Sequence, residues 1–129
     1  MTINVFSIRP QHVARIIDGS KGYEYRTRRP SMSRGDQFLI YETAPRSMIV
    51  AVATIGEIIV DDPSRVWERT QERSGADRDS FDRYYGGRDR AVAIEIASVQ
   101  AIDPVPLPAS MAAPQAWAVY KGVWSTPAR

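Results

Sequence analysis

The sequence predicts an α+β fold: a small, mixed, partly closed β-barrel with helices at its sides. Three observations carry this. Five stretches alternate or run apolar with the period of a strand. Two short segments between the fourth and fifth of them carry helix start and stop signals. Few connections are long enough for the parallel crossovers of a doubly wound sheet.

The elements follow in order. Residues 3–8 place Ile3, Val5, Phe6 and Ile8 in a first strand. Pro10 suits the first turn of a helix, where its missing N–H would be unpaired anyway. Val13, Ile16 and Ile17 then form one apolar face, and Gly19 stands where a C-terminal cap belongs. From Tyr23 to Arg29 the chain alternates: Tyr23, Tyr25 and Thr27 point one way, Glu24, Arg26 and Arg28 the other. Residues 38–41 make a short apolar strand, and residues 48–60 a long one whose internal Gly56 predicts a bulge. Asp61-Asp62-Pro63 opens a helix with Val66, Trp67 and Thr70 on its buried face, ending near Ser74-Gly75. Asp77 caps a further helix carrying Phe81, Tyr84 and Tyr85, which ends at Gly86-Gly87. Residues 91–102 form the last long strand, and 103–114 an extended loop. Trp117 and Tyr120 dock the tail on the domain, which spans residues 1–120; disorder is expected over 121–129.

Length and composition bound the function. The chain has 129 residues, one domain's worth, and its 43% hydrophobic content supports a single core. There is no cysteine, so thiolate chemistry and disulfides are excluded. His12 is the only histidine, so no zinc site and no other metal or cofactor is expected. His12 itself reads as a surface residue of the first helix. No run is long enough to span a bilayer and no signal-peptide pattern opens the chain, so a cytoplasmic location is expected. The net charge is only +2, too small for strong non-specific DNA binding; any basic footprint is local. Fifteen of the 17 basic side chains are Arg, whose planar fork suits phosphates and base edges. Arg26, Arg28, Arg29 and Arg34 cluster near Lys21.

On a strand, Glu24, Arg26 and Arg28 share one face, with Lys21 in the preceding turn. A carboxylate beside two guanidiniums is ionised and oriented; the array can accept from a base amino group and donate to phosphate. The same spacing also fits a solvated, charged strand edge that discourages edge pairing. The aromatics are open to the same two readings. Tyr41 and Trp117 are candidates to stack on a base, whereas Trp67 reads as core. The scattered acidic residues Asp61, Asp62, Asp77, Asp79 and Asp82 read as helix caps and first-turn charges.

Gly19-Ser20-Lys21-Gly22-Tyr23-Glu24-Tyr25-Arg26 resembles the Gly-x-Lys-x-x-Glu-x-Arg motif of ASCH domains, in the PUA-like superfamily. Phe6 to Pro10, Leu39 to Tyr41 with Ala44-Pro45, Val50 to Ile58, Trp67 to Thr70, Ala93 to Ile96 and Pro114 to Trp117 resemble the family's other segments in the same order. The resemblance implies a β-barrel with a cleft beside the motif that binds RNA, single-stranded nucleic acid or a nucleoside-like molecule. It implies Lys21, Glu24 and Arg26 as its contacts; the local Arg cluster adds Arg28 and Arg29, and Tyr41 and Trp117 are the candidates to stack on a base. Some short members are amidohydrolases of N4-acetylated cytidine, using a Lys, a Thr at the place of Glu24 and a Glu from the helical insertion. Lys21 matches, the Thr does not, and the helical Glu would be Glu72 or Glu68. Other members are nucleases. The resemblance leaves binding module, amidohydrolase and nuclease open.

Overall fold

The computed structural model describes residues 3–114 and 117–120. The segment 121–129, expected to be disordered, lies outside the described residues, as do Gln115 and Ala116.

The first strand, β1 (Asn4–Ile8), leads into helix α1 (Pro10–Asp18). Pro10 sits in the first turn of α1 and Gly19 ends it in the left-handed conformation, φ 88°. There a side chain on Cβ would crowd the following carbonyl. Strand β2 is Tyr23–Arg26, β3 is Gln37–Glu42 and β4 is Met48–Asp61. Helix α2 (Pro63–Thr70) is capped by Asp62, whose carboxylate accepts from the Arg65 N–H, a bond worth about 1 kcal/mol to the helix end. A single 3-10 turn (Gln71–Arg73) follows, then α3 (Arg78–Tyr85), capped the same way by Asp77. Strand β5 (Ala91–Val105) and a short β6 (Trp117–Val119) are the last of the described elements.

The strands form one mixed sheet in the order β2-β5-β4-β3-β1-β6. Among the described residues only the β1–β3 pair is parallel. The sheet curls into a half-barrel whose edges, β2 and β6, are not hydrogen-bonded to each other. The β4–β5 register shifts between Thr54 and Ile58, around Gly56, as a bulge requires.

Alternation sorts the apolar residues into three clusters. Phe6, Phe38, Ile40, Ala51, Val92 and Ile94 line the inner face, with Val13 and Ile16 of α1 packed among them. Val5, Leu39, Tyr41, Ile49 and Ile102 face the other way and are covered by Leu107, Met111 and Tyr120. Ile59, Val66, Phe81, Tyr85 and Ala93 form a third cluster under α2 and α3.

Several boundaries differ from the sequence reading. β2 ends at Arg26 rather than running to Arg29, because its partner β5 begins only at Ala91, one residue beyond the Arg26–Val92 pair. β5 continues to Val105 instead of giving way to a loop at Asp103, because β4 extends far enough to pair Ile49 with Val105. The docked tail is a sixth strand, with Trp117 opposite Phe6. α2 stops at Thr70, and only the 3-10 turn carries the chain on to Ser74.

Candidate functional site

Direct cross-strand partners share a face of the sheet, so Glu24 opposite Ile94 and Arg26 opposite Val92 both point to the inner face. Both are buried, 8% and 9% exposed, and so is Lys21 at 4%. Three charged side chains this far from water must be held by partners. Glu24 Oε2 lies 2.8 Å from the Arg26 guanidinium. The same guanidinium donates across the open side of the barrel to the Ser7 carbonyl at 3.1 Å and sits 5.0 Å above the Phe6 ring. Arg26 Nε is buried with no hydrogen-bond partner among the described residues.

Lys21 is fixed by the turn that carries it. Its N–H donates to the Arg15 carbonyl, and the Gly22 N–H donates to the Arg73 carbonyl. Its ammonium donates to the Ser74 carbonyl at 3.3 Å and lies 4.8 Å above the Tyr25 ring. Arg15 donates to the Gly75 carbonyl at 2.6 Å, latching the helical excursion onto α1 next to that turn. The Tyr25 hydroxyl meets Thr70 Oγ1 at 2.7 Å. The Thr70 hydroxyl proton goes to the Val66 carbonyl, so Tyr25 is the donor. Burial pushes the Tyr25 phenol up to about 12. Burial also lowers Lys21 from its ordinary value, helped by Arg15 and Arg26 and opposed by Glu24.

Lys21, Glu24 and Arg26 open onto a cavity of about 440 Å³. Ile8, Arg9 and His12 close it on one side; Ala76, Ser80, Phe81 and Tyr84 form the opposite wall from α3 and the loop before it. Three cations and one carboxylate line it, so it favours an anion. A volume of this order suits a nucleotide-sized molecule. Among the described residues there is no group of three His, Asp or Glu side chains that could hold a metal ion. No described helix is long and apolar enough to cross a membrane.

The expected contacts divide. Lys21, Glu24 and Arg26 converge on the cavity; Arg28, Arg29, Tyr41, Trp117 and Glu72 do not line it. Tyr41 lies on the opposite face of β3, buried against the tail, because it alternates with Ile40. Glu72 and Glu68 are exposed, on the side of the helical segment away from Val66 and Thr70. Arg29 is exposed in the loop after β2. Arg28 and Trp117 meet outside the cavity, the guanidinium 5.0 Å above the indole.

His12 corrects the sequence reading. It is half-buried and lines the cavity, with Nδ1 buried and without a hydrogen-bond partner among the described residues. Arg9 and Tyr84 were also missed, because only the packing of α1 and α3 around β2 brings them there. The apolar pattern of α1 did hold a signal: Val13 and Ile16 fix which side of the helix faces inward, and His12 borders it.

Burial lowers the His12 pKa, reinforced by Lys21 and opposed by Glu24, with Arg15 and Arg9 adding to the depression. A base whose pKa falls on folding contributes stability above its unfolded value of 6.5 and loses it as pH falls through the folded value. We predict that His12→Gln flattens the fall in melting temperature below about pH 6.5 relative to the native chain and leaves the neutral range unchanged. Equal acid slopes for both would refute this.

The match to a profile for the ASCH domain covers residues 6–106. An ASCH domain-containing ribonuclease of Zymomonas mobilis is 26% identical over 103 residues, 80% of this chain and 70% of that protein. The crystal structure of ASCH from Zymomonas mobilis is similar at a TM-score of 0.83 and 24% identity, covering 89% of this chain and 85% of that one. A variant of the same protein gives a TM-score of 0.82 at 25% identity, over 89% and 85%.

Proposed function

Because the chain belongs to the ASCH domain family, we propose that its cavity binds one nucleotide unit of single-stranded RNA. The observation that carries this reading is the convergence of Lys21, Glu24 and Arg26, all buried, on one net-positive cavity. A phosphate there would meet Lys21 and Arg26, while Glu24 stays tied to Arg26 and the exposed face of Tyr84 borders the space for a base. The ribonuclease named among its relatives favours RNA as the polymer.

Lys21→Met is expected to weaken binding of a short single-stranded RNA by at least about tenfold, since a hydrogen bond to a charged group contributes about 1.5–3 kcal/mol. The salt dependence of binding should also fall by roughly 0.7 in log–log slope for each phosphate that is no longer neutralised. An unchanged Kd at moderate salt would remove the cavity from consideration.

His12 favours a second step, phosphodiester cleavage. A neutral imidazole lining a cavity with Arg26 and Lys21 can take the proton of a ribose 2′-hydroxyl. The oxygen then attacks the adjacent phosphorus, the bond to the 5′-oxygen breaks, and the Lys21 ammonium supplies the proton that oxygen needs. The products are a 2′,3′-cyclic phosphate and a 5′-hydroxyl. A 2′-deoxy substrate must then bind without being cut, and His12→Gln must bind RNA without cutting it. Amidohydrolysis of an N4-acetylcytidine is less well served. Glu68 and Glu72 lie off the cavity, and Glu24 is held by Arg26 where a hydroxyl would be needed. Turnover of acetylcytidine by the native chain would reverse that order.

A further inference from the structure

We propose that the open seam between β2 and β6 is a second nucleotide subsite, in which Arg28, stacked on Trp117, holds the phosphate next to the one in the cavity. This rests on the nucleotide reading of the cavity and extends it from one unit to an oligonucleotide.

Four side chains form a continuous stack along the seam. The Arg26 guanidinium lies over Phe6 at 5.0 Å, Phe6 stacks on Trp117 at 5.5 Å with 20° between the planes, and Arg28 lies over Trp117 at 5.0 Å. Arg26 opens onto the cavity, whereas Arg28 is exposed in the bend just after β2. The stack therefore leads from the inner site to the outer surface, with a cation at each end. Neither strand edge pairs with the other, so no sheet hydrogen bond closes this route.

The outer cation is available. Exposed Arg65, Arg69, Arg73 and Arg78 each pair with a carboxylate. Arg28 has no carboxylate partner among the described residues, and its interaction is with the indole. Stacking orients a guanidinium while leaving its in-plane N–H groups free, the arrangement that a bidentate phosphate contact needs. The alternative role is protective, with Arg28 merely covering the edge of Phe6 and Trp117. The two roles differ in what a ligand feels.

The test uses the full chain, uridine monophosphate and a uridine tetranucleotide. Arg28→Ala should weaken the tetranucleotide about fivefold or more and lower its salt slope, while leaving the monophosphate within about twofold. Arg28→Lys, which keeps charge without the planar fork, should fall between. Equal effects of Arg28→Ala on both ligands, or on neither, would overturn the subsite. If the native chain binds neither ligand, the cavity reading fails and takes the subsite with it. If both bind and only Lys21→Met weakens them, the cavity stands and the seam does not. Melting of Arg28→Ala close to the native value separates lost binding from lost fold.

Discussion

Arg26→Leu is expected to cost about 3–5 kcal/mol of folding stability, because it leaves the Glu24 carboxylate buried without its counter-charge. For a domain of this size that is a loss of roughly 10–20 °C in melting temperature. Arg26 also donates to the Ser7 carbonyl across the open side of the half-barrel, so β1 and β2 lose a strut as well. The double variant Glu24→Leu with Arg26→Leu should recover most of that loss. Replacing a buried pair with apolar side chains of similar size is often neutral, whereas removing one partner is not. Thermal melts of the two variants decide this, and a single variant melting within about 3 °C of the native chain would refute it. The double variant has a further use: folded but lacking the guanidinium, it should fail to bind RNA.

The second large effect lies at Gly75. Its φ is +67°, and a Cβ there would stand 2.6 Å from Lys21 Cβ, closer than side chains approach. Gly75→Val therefore combines a left-handed backbone penalty of about 1–2 kcal/mol, made worse by β-branching, with a collision that displaces either Lys21 or the loop before α3. We expect a total of at least about 3 kcal/mol, and loss of RNA binding along with it. Gly35 supplies the control. It has φ +90° but open space around its missing side chain. The extra destabilisation of Gly75→Ala over Gly35→Ala, read from denaturant midpoints, measures the collision alone. Equal costs at the two positions would show that Lys21 yields freely.

How much was legible depended on whether the cause was local. The caps at Asp62, Asp77 and Gly19 stand where local chemistry puts them. Alternation placed Glu24 and Arg26 on one face, and one face of β2 is the cavity floor. Alternation could not say which face of β3 mattered. Tyr41 was a reasonable aromatic candidate, and parity with Leu39 and Val5 carried it to the other core. Glu72 looked available because helical periodicity alone did not reveal that the helix stops at Thr70 and that the next turn points outward. His12 was missed for a different reason. Its position beside Lys21 is made by residues nine apart in sequence packing through α1 and a left-handed turn, which no short pattern encodes.

The pairing of Asp61 with Ala91 has a consequence for how such a protein can change. Residues 62–90 leave and rejoin the sheet at the same place, so their length does not disturb the register on either side. That excursion supplies the Ser80, Phe81 and Tyr84 wall of the cavity, while Lys21, Glu24 and Arg26 belong to the turn and strand beneath. Roof and floor meet at a few fixed points: the Ser74, Arg73 and Gly75 carbonyls accept from Lys21, Gly22 and Arg15, and the Tyr85 hydroxyl donates to the Arg26 carbonyl. Changes to the roof that spare those points can alter the size and shape of what enters while Lys21, Glu24 and Arg26 stay in place. Lengthening such a loop carries only a small entropic cost. New ligand preferences are therefore expected to arise between Asp62 and Arg90 before they arise in the barrel.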